Sequence, residues 1–245
     1  MQMPLEGGAT MRHDIDSRTG AQAVLELGTK FLISYFIGSL MGALIVGRLR
    51  GGVDIRTLGS GNAGGTNALR TQGIVFALAV VIIDVGKGAL ATAFVPGLNL
   101  PLVGIDPQVS RTWLVIACAA AAVMGHVWPV WHGFRGGKGA ATLIGTLAVL
   151  APVVIVPVLL VWAWVFVFTG FVGLATMLGG LSAPVFLAMS RWPNDQPLLI
   201  YCLVMAAYLV YSHRSNIARM RAGTEHRNTR VMVFRRRSSA AVDDD

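Results

Sequence analysis

Between Gly59 and Arg70 the chain reads Gly-Ser-Gly-Asn-Ala-Gly-Gly-Thr-Asn-Ala-Leu-Arg. Glycines let a backbone come close to a ligand and turn its N–H groups toward it. Ser60, Asn62, Thr66 and Asn67 add hydroxyl and amide partners, and Arg70 adds a planar fork suited to phosphate. We take Ser60, Gly61, Asn62, Gly64, Thr66, Asn67 and Arg70 as candidate phosphate-binding residues. The spacing comes near the nucleotide-binding pattern G-x4-G-K-[ST], but Gly65 stands where the lysine belongs. That lysine reaches the β- and γ-phosphates, so the run argues against a nucleoside triphosphate. A flexible Gly/Asn turn is the plain alternative, and it leaves the arginine unexplained.

Two further runs have the same character. Phe134-Arg135-Gly136-Gly137-Lys138-Gly139 opens an apolar stretch that reads as a helix. A Gly-rich turn at a helix N-terminus is an anion site, and here it carries two cations. Ordinary topology-setting charge accounts for Arg135, but not for the glycines around Lys138. The third run, from His213 through Asn216, Arg219 and Arg221 to Glu225, combines cations with an amide. Its plain alternative is a segment that binds lipid headgroups. Asp84 and Lys87 lie three apart, so on one helix face, inside an otherwise apolar stretch. Charges at membrane depth cost at least ~2.5–3.5 kcal/mol each and normally pair or line a polar cavity. They form an internal ion pair, or one of them faces the ligand. His126 is read as structural rather than catalytic.

The elements that must position these residues are membrane helices. Only 13% of the 245 residues are charged and the mean hydropathy is +0.64, against roughly 25% charged in soluble domains. The two cysteines, Cys118 and Cys202, lie in apolar runs, which excludes a disulfide scaffold. Phe31–Gly47, Thr112–Phe134, Ala140–Ser190 and Gln196–Ser212 contain no Asp, Glu, Lys or Arg. A spanning helix needs about 20 apolar residues. No period-two alternation points to a β-barrel. The first run is preceded by mixed charge and followed by no small-residue cleavage site, so it reads as a first spanning helix and not as a signal peptide.

Arginine and lysine collect around the first loop (Arg48, Arg50, Arg56, Arg70), in the second (Arg135, Lys138) and beyond Ser212. The positive-inside rule then puts these segments in the cytoplasm and the N-terminus outside. For the basic C-terminus to end inside, Ala140–Ser190 must cross an odd number of times. One crossing is too long for a core of about 30 Å, so three are expected, with turns near Pro152 and Pro157, near Gly170 and Gly173, and near Gly179, Gly180 and Pro184. The expectation is an all-α polytopic protein of seven transmembrane helices, some short. Five with re-entrant parts is the alternative. Residues 1–27 read as an N-terminal extension, 28–227 as one membrane domain and 228–245 as a disordered tail.

All three chemistry-bearing runs fall on one membrane face. A transporter for an organic phosphate and an enzyme joining a water-soluble phosphate to a lipid both fit. A transporter would show internal repeats and broken helices at the midplane. No repeat is visible and the motifs lie at the surface, which favours the enzyme.

The runs VDIRTLGSGNAGGTNALR, DVGKG, GH-x2-P-x4-FRGGKGAAT and HRSNIARMRAGTE resemble the bacterial membrane glycerol-3-phosphate acyltransferases that use acyl phosphate, from about Gly38 to Glu225. The resemblance implies a seven-helix fold in the bacterial cell membrane, with its active site facing the cytoplasm. It implies transfer of a fatty acyl group from acyl phosphate to the 1-hydroxyl of glycerol 3-phosphate, giving lysophosphatidic acid and phosphate. It assigns catalytic work to Arg70, Lys138, His213 and Asn216. It assigns substrate binding to the first-loop residues above and to Lys87, Gly136, Gly137, Thr176 and Glu225. The H-x4-D pair of the other large class of glycerolipid acyltransferases follows none of the five histidines.

The chain departs from the family at Gly38-Ser39-Leu40-Met41, which lacks a proline, and at Gly173 and Thr176, where two serines are usual. One hydroxyl, that of Thr176, is kept. An acyl phosphate is already an activated donor, so the protein's task is to hold two phosphate-bearing substrates together and stabilise the leaving phosphate. A substrate phosphate takes the hydroxyl proton if the resemblance holds, with His213 and Glu225 as candidate bases otherwise. Partners expected are the two substrates, the bilayer and, functionally, a soluble enzyme that makes acyl phosphate. No metal ion, nucleotide or other cofactor, and no nucleic acid, is expected.

Overall fold

The computed structural model describes residues 7–233. Among them are α1 Gly7–Gly38, α2 Gly42–Leu49, α3 Gly65–Gln72, α4 Ile74–Phe94, α5 Arg111–Val127, α6 Ala140–Leu150, α7 Pro152–Thr169, α8 Val172–Arg191, α9 Gln196–Ser212 and α10 Arg214–Arg221. Four segments are long and apolar enough to cross a membrane: Ile74–Gly97, Arg111–His132, Pro152–Thr169 and Val172–Arg191. Two bent pairs raise the number to six, Gly20–Gly38 with Gly42–Leu49 at 43° and Gln196–Ser212 with Arg214–Arg221 at 50°. The chain is an all-α polytopic membrane protein.

The uncharged run from residue 140 to 190 divides into three helices, α6, α7 and α8. Pro152 stands at the first position of α7, and Gly170 ends it at φ 73°. These two sets of breakers lie where turns were expected. The third set does not. Gly179, Gly180 and Pro184 sit inside α8, which runs on to Arg191. A Cβ on Gly179 would stand 3.0 Å from the Val158 carbonyl oxygen, so this glycine serves the close packing of α8 on α7. Pro157 and Pro184 are helix-internal, as proline often is in membrane helices. With 11 residues, α6 is about 16 Å long, roughly half the hydrocarbon core.

The bend between α1 and α2 has a polar clasp. A helix that stops inside a membrane leaves carbonyls at one broken end and amides at the other. Lys87 donates to the Leu40 carbonyl at 2.7 Å, just past the end of α1. Asp84 Oδ1 accepts from the Gly42 amide at 3.2 Å, at the start of α2. The two side chains are 2.9 Å apart and almost fully buried. The charge signs suit the helix dipoles: a cation at the C-terminus of α1 and an anion at the N-terminus of α2.

Helices α4 and α6 pack against each other through Gly88, which faces the Thr142 backbone, and Gly145, which faces the Val85 backbone. No side chain could stand at either place, and this contact fixes the start of α6 and so the loop carrying Lys138. At the opposite end of the bundle Glu26 of α1 accepts from Lys30 (2.7 Å), from the Asp106 amide (2.9 Å) and from both Arg111 amino groups (2.7 and 2.9 Å). Helix α1 therefore runs unbroken through the expected boundary at residue 27. Residues 228–233, expected to be disordered, pair with α7 through the Asn228 amide on the Gly170 carbonyl (2.9 Å) and the Val233 amide on the Val167 carbonyl (3.3 Å). The rest of that tail, 234–245, and residues 1–6 lie outside the described residues.

Candidate active site

The three glycine- or cation-rich segments meet around one cavity of about 610 Å³. Its walls include Ser60, Asn62, Gly64, Thr66, Asn67 and Arg70 from the first segment and Lys138 from the second. His213, Asn216 and Glu225 come from the third, and Thr176 from α8. Two helix N-termini open into it. The first intrahelical bond of α3 is Ala68 N–H to Gly64 (3.0 Å), and that of α6 is Leu143 N–H to Gly139 (2.8 Å). The amides before these have no helical partner, which makes both ends anion sites.

A chain of hydrogen bonds joins the second and third segments. Lys138 Nζ donates to Asn216 Oδ1. Asn216 Nδ2 donates to Glu225 Oε1 at 2.8 Å, and Arg219 Nε donates to Glu225 Oε2 at 2.7 Å. Gly173 makes room for this chain, because a Cβ there would stand 2.8 Å from Asn216 Nδ2. The Lys138 backbone carbonyl accepts from Ser212 Oγ at 2.9 Å. Arg56, paired with Asp54 at 2.8 Å, donates to the His132 carbonyl at 3.3 Å and so ties the first loop to the second.

His213 lies in the break between α9 and α10. Its Nδ1 is 2.8 Å from the Leu209 carbonyl, which can only accept, so the ring proton is on Nδ1 and Nε2 carries a lone pair. Burial, then the charge of Lys138, brings the imidazole down to about 4, so it is neutral at pH 7. Burial also brings the Lys138 ammonium down to about 8, helped by Arg219 and Arg70 and opposed by Glu225. Lys138 is therefore charged below that pH and neutral above it. We expect kcat/KM for a phosphate-bearing substrate to fall as pH rises through about 8. In Lys138→Arg that alkaline limb should disappear, since an arginine keeps its charge. A pH profile in which both proteins lose activity together would remove Lys138 as the titrating group.

Not every expected residue faces this cavity. Gly61, Gly136 and Gly137 line a neighbouring polar cavity of about 290 Å³ instead. Lys87 lies behind the wall. Its three N–H donors go to Asp84 Oδ1 (2.9 Å), the Leu40 carbonyl (2.7 Å) and His126 Nδ1 (2.8 Å), which leaves none for a phosphate. Asn67 lines the cavity but spends its amide on the loop. It donates to the carbonyls of Ile55 (2.9 Å) and Leu58 (3.0 Å) and accepts from the Ser60 amide (2.9 Å). Thr176 gives its one hydroxyl proton to the Val172 carbonyl at 2.8 Å and accepts from Trp162 Nε1 at 3.2 Å, so it has no hydrogen for a phosphate. It stands instead at the mouth of an apolar groove of about 250 Å³ between α6, α7 and α8, bounded by Leu147, Val158, Gly180 and Leu209.

Arg219 was missed as a site residue, although its place one turn after Asn216 was a usable signal. Trp162 carried none, being one aromatic in an apolar run. His126, read as structural, is 2% exposed. Lys87 has no lone pair, so His126 Nδ1 accepts and the ring proton sits on Nε2; its backbone carbonyl holds the Gly137 amide at 3.1 Å. Among the described residues no group of three or more His, Cys, Asp or Glu is placed to hold a metal ion.

A family model described as glycerol-3-phosphate acyltransferase matches residues 29–223. The chain belongs to that family. It is 35% identical over 227 residues to the glycerol-3-phosphate acyltransferase of Chlorobaculum parvum, covering 84% of this chain and 96% of that one. To the one from Aquifex aeolicus it is 36% identical over 197 residues, covering 80% and 96%. Two crystal structures of PlsY (YgiH), an integral membrane glycerol 3-phosphate acyltransferase, are similar at 33% identity. The glycerol 3-phosphate form has a TM-score of 0.69 and covers 82% of this chain and 95% of its own. The lysophosphatidic acid form has a TM-score of 0.68, with 82% and 94%. The chain is thus a membrane acyltransferase.

Proposed function

We propose that this chain transfers a fatty acyl group from acyl phosphate to the 1-hydroxyl of glycerol 3-phosphate, giving lysophosphatidic acid and inorganic phosphate. The observation that carries the site assignment is the placement of Lys138. It stands between two free helix N-termini, among Arg70 and Arg219, in a cavity whose wall continues into an apolar groove. Phosphate is held at the cationic end while the acyl tail lies in the groove. The hydroxyl oxygen attacks the acyl carbon, the bond from that carbon to the phosphate oxygen breaks, and phosphate leaves with the electron pair. Lys138, Arg70 and the α3 and α6 amides stabilise that charge.

The hydroxyl proton goes to a substrate phosphate. A substrate phosphate brings several acceptor oxygens beside the attacking hydroxyl, whereas the His213 ring is held with its Nδ1 proton on the Leu209 carbonyl. Both oxygens of Glu225 are already engaged, by Asn216 and Arg219. His213 then positions substrate through Nε2, and Glu225 aligns Asn216 and Arg219.

The arginine distribution supports an N-terminus outside and a C-terminus in the cytoplasm, with the cavity facing the cytoplasm and α6 as a short seventh crossing. In this reading residues 28–227 form the catalytic domain, flanked by an extension and a tail. Acyl phosphate has to come from another reaction, and the partner expected from the resemblance is a soluble enzyme that makes it. The test is direct: purified protein in detergent should make lysophosphatidic acid and phosphate from acyl phosphate and glycerol 3-phosphate. Counterflow of glycerol 3-phosphate in proteoliposomes with no acylated product would instead support a transporter. A C-terminal reporter found outside the cell would overturn the orientation.

A further inference from the structure

Lys138, Ser60 and Asn62 line two cavities, not one. The larger has an apolar flank: Ile74 and Leu78 of α4, 58% and 53% exposed, face it from one side, with Trp162 and Phe166 of α7 on its wall. Its polar wall includes two acids, Asp84 and Glu225. The smaller, about 290 Å³, is lined by Arg135, Lys138 and Arg214 together with Ser212, Ser215 and the Gly136–Gly137 backbone, and by no Asp or Glu. Three cations on a concave polar wall that carries no acid of its own focus field on a small anion.

We propose that this smaller cavity is a water-side port for phosphate monoesters, resting on the acyl-transfer reading above. Glycerol 3-phosphate enters and inorganic phosphate leaves through it, while acyl phosphate reaches Lys138 from the bilayer through the larger cavity. Arg135 and Arg214 attract and hold the soluble anion on its way in. The two mouths let two mutually repelling phosphates approach the same lysine by separate paths. The rim is built to keep its charges in place. Arg214 lies over the Tyr211 ring at 4.5 Å and donates to the Tyr211 carbonyl at 3.3 Å. The loop carrying Arg135 is pinned by Arg56, which donates to the Arg135 carbonyl at 3.5 Å.

The test is the double variant Arg135→Gln/Arg214→Gln, purified in neutral detergent so that orientation and lipid charge play no part. At low salt its KM for glycerol 3-phosphate should rise about 10-fold or more, and the inhibition constant of inorganic phosphate should rise with it. Its kcat and its KM for acyl phosphate should stay near wild type. In about 0.5 M salt the difference should shrink, because exposed charges are screened. Arg135→Lys/Arg214→Lys should keep the low KM. An unchanged KM for glycerol 3-phosphate, in a wild type that makes lysophosphatidic acid, would overturn the port alone. A rise in the KM for acyl phosphate would also overturn it. So would a defect seen only in vesicles containing phosphatidylglycerol, which would make the cavity a headgroup site. A wild type that makes no lysophosphatidic acid would remove the port and the acyl-transfer reading together.

Discussion

Lys138→Ala should lower kcat/KM by roughly 10- to 150-fold, the equivalent of one lost charge-assisted hydrogen bond of about 1.5–3 kcal/mol. Arg70→Lys should fall in the same range although it keeps its charge. The two residues occupy different segments and meet only at the cavity. Lys138 acts as a point charge between the α3 and α6 N-termini, so shortening it to a methyl removes the charge outright. Arg70 makes no hydrogen bond to protein among the described residues, so its five N–H donors remain available to a planar, bidentate partner. A lysine there offers one centre instead of two. If both residues merely set topology or bound headgroups, Arg70→Lys would turn over normally, because topology counts charge and not shape. The measurement is kcat and KM for each substrate on folded, purified protein. Wild-type kinetics in both variants would move the site to His213, Asn216 and Arg219.

What the sequence made legible was local. The runs at Gly59–Arg70, Arg135–Gly139 and His213–Glu225 announce themselves because glycine, amide and cation crowd together within a few residues. Counting charges between apolar runs leads one to expect them on one side of the bundle, and they meet around one cavity. The turns at Pro152 and Gly170 were legible for the same reason. The remainder depended on which way each group points. Asn67 and Thr176 are of types that bind phosphate, yet the Ile55, Leu58 and Val172 carbonyls come close enough to take their donors. Gly179 and Gly180 look like a turn until α7 and α9 are seen to press on them. The length of α6 is set by Pro152 at the start of α7, and a parity argument counts crossings without measuring them.

Lys87 separates the two kinds of reading most sharply, and Lys87→Met should destabilise the protein by about 3–5 kcal/mol. The substitution keeps the length of the side chain and removes one donor set. Three acceptors then lose the ammonium together: Asp84 Oδ1, which keeps only the Gly42 amide, the Leu40 carbonyl and His126 Nδ1. Asp84 is left as an uncompensated charge, 1% exposed, at the bend between α1 and α2. Its Oδ2 accepts no hydrogen bond among the described residues, and His126 Nδ1, 3.4 Å from Oδ1, would have to take up a proton before it could donate there. A loss of this size should lower the thermal midpoint in detergent by on the order of ten degrees. Adding Asp84→Leu should recover part of the loss, because a neutral pair no longer strands a charge, while the Leu40 carbonyl and the Gly42 amide still lack their partners. The opposing reading, in which Lys87 grips a substrate phosphate, predicts the reverse pattern: KM rises, the midpoint stays, and Asp84→Leu makes matters worse. A Lys87→Met protein that melts like wild type but binds glycerol 3-phosphate poorly would therefore return Lys87 to the substrate and leave the α1–α2 bend to be held by other means.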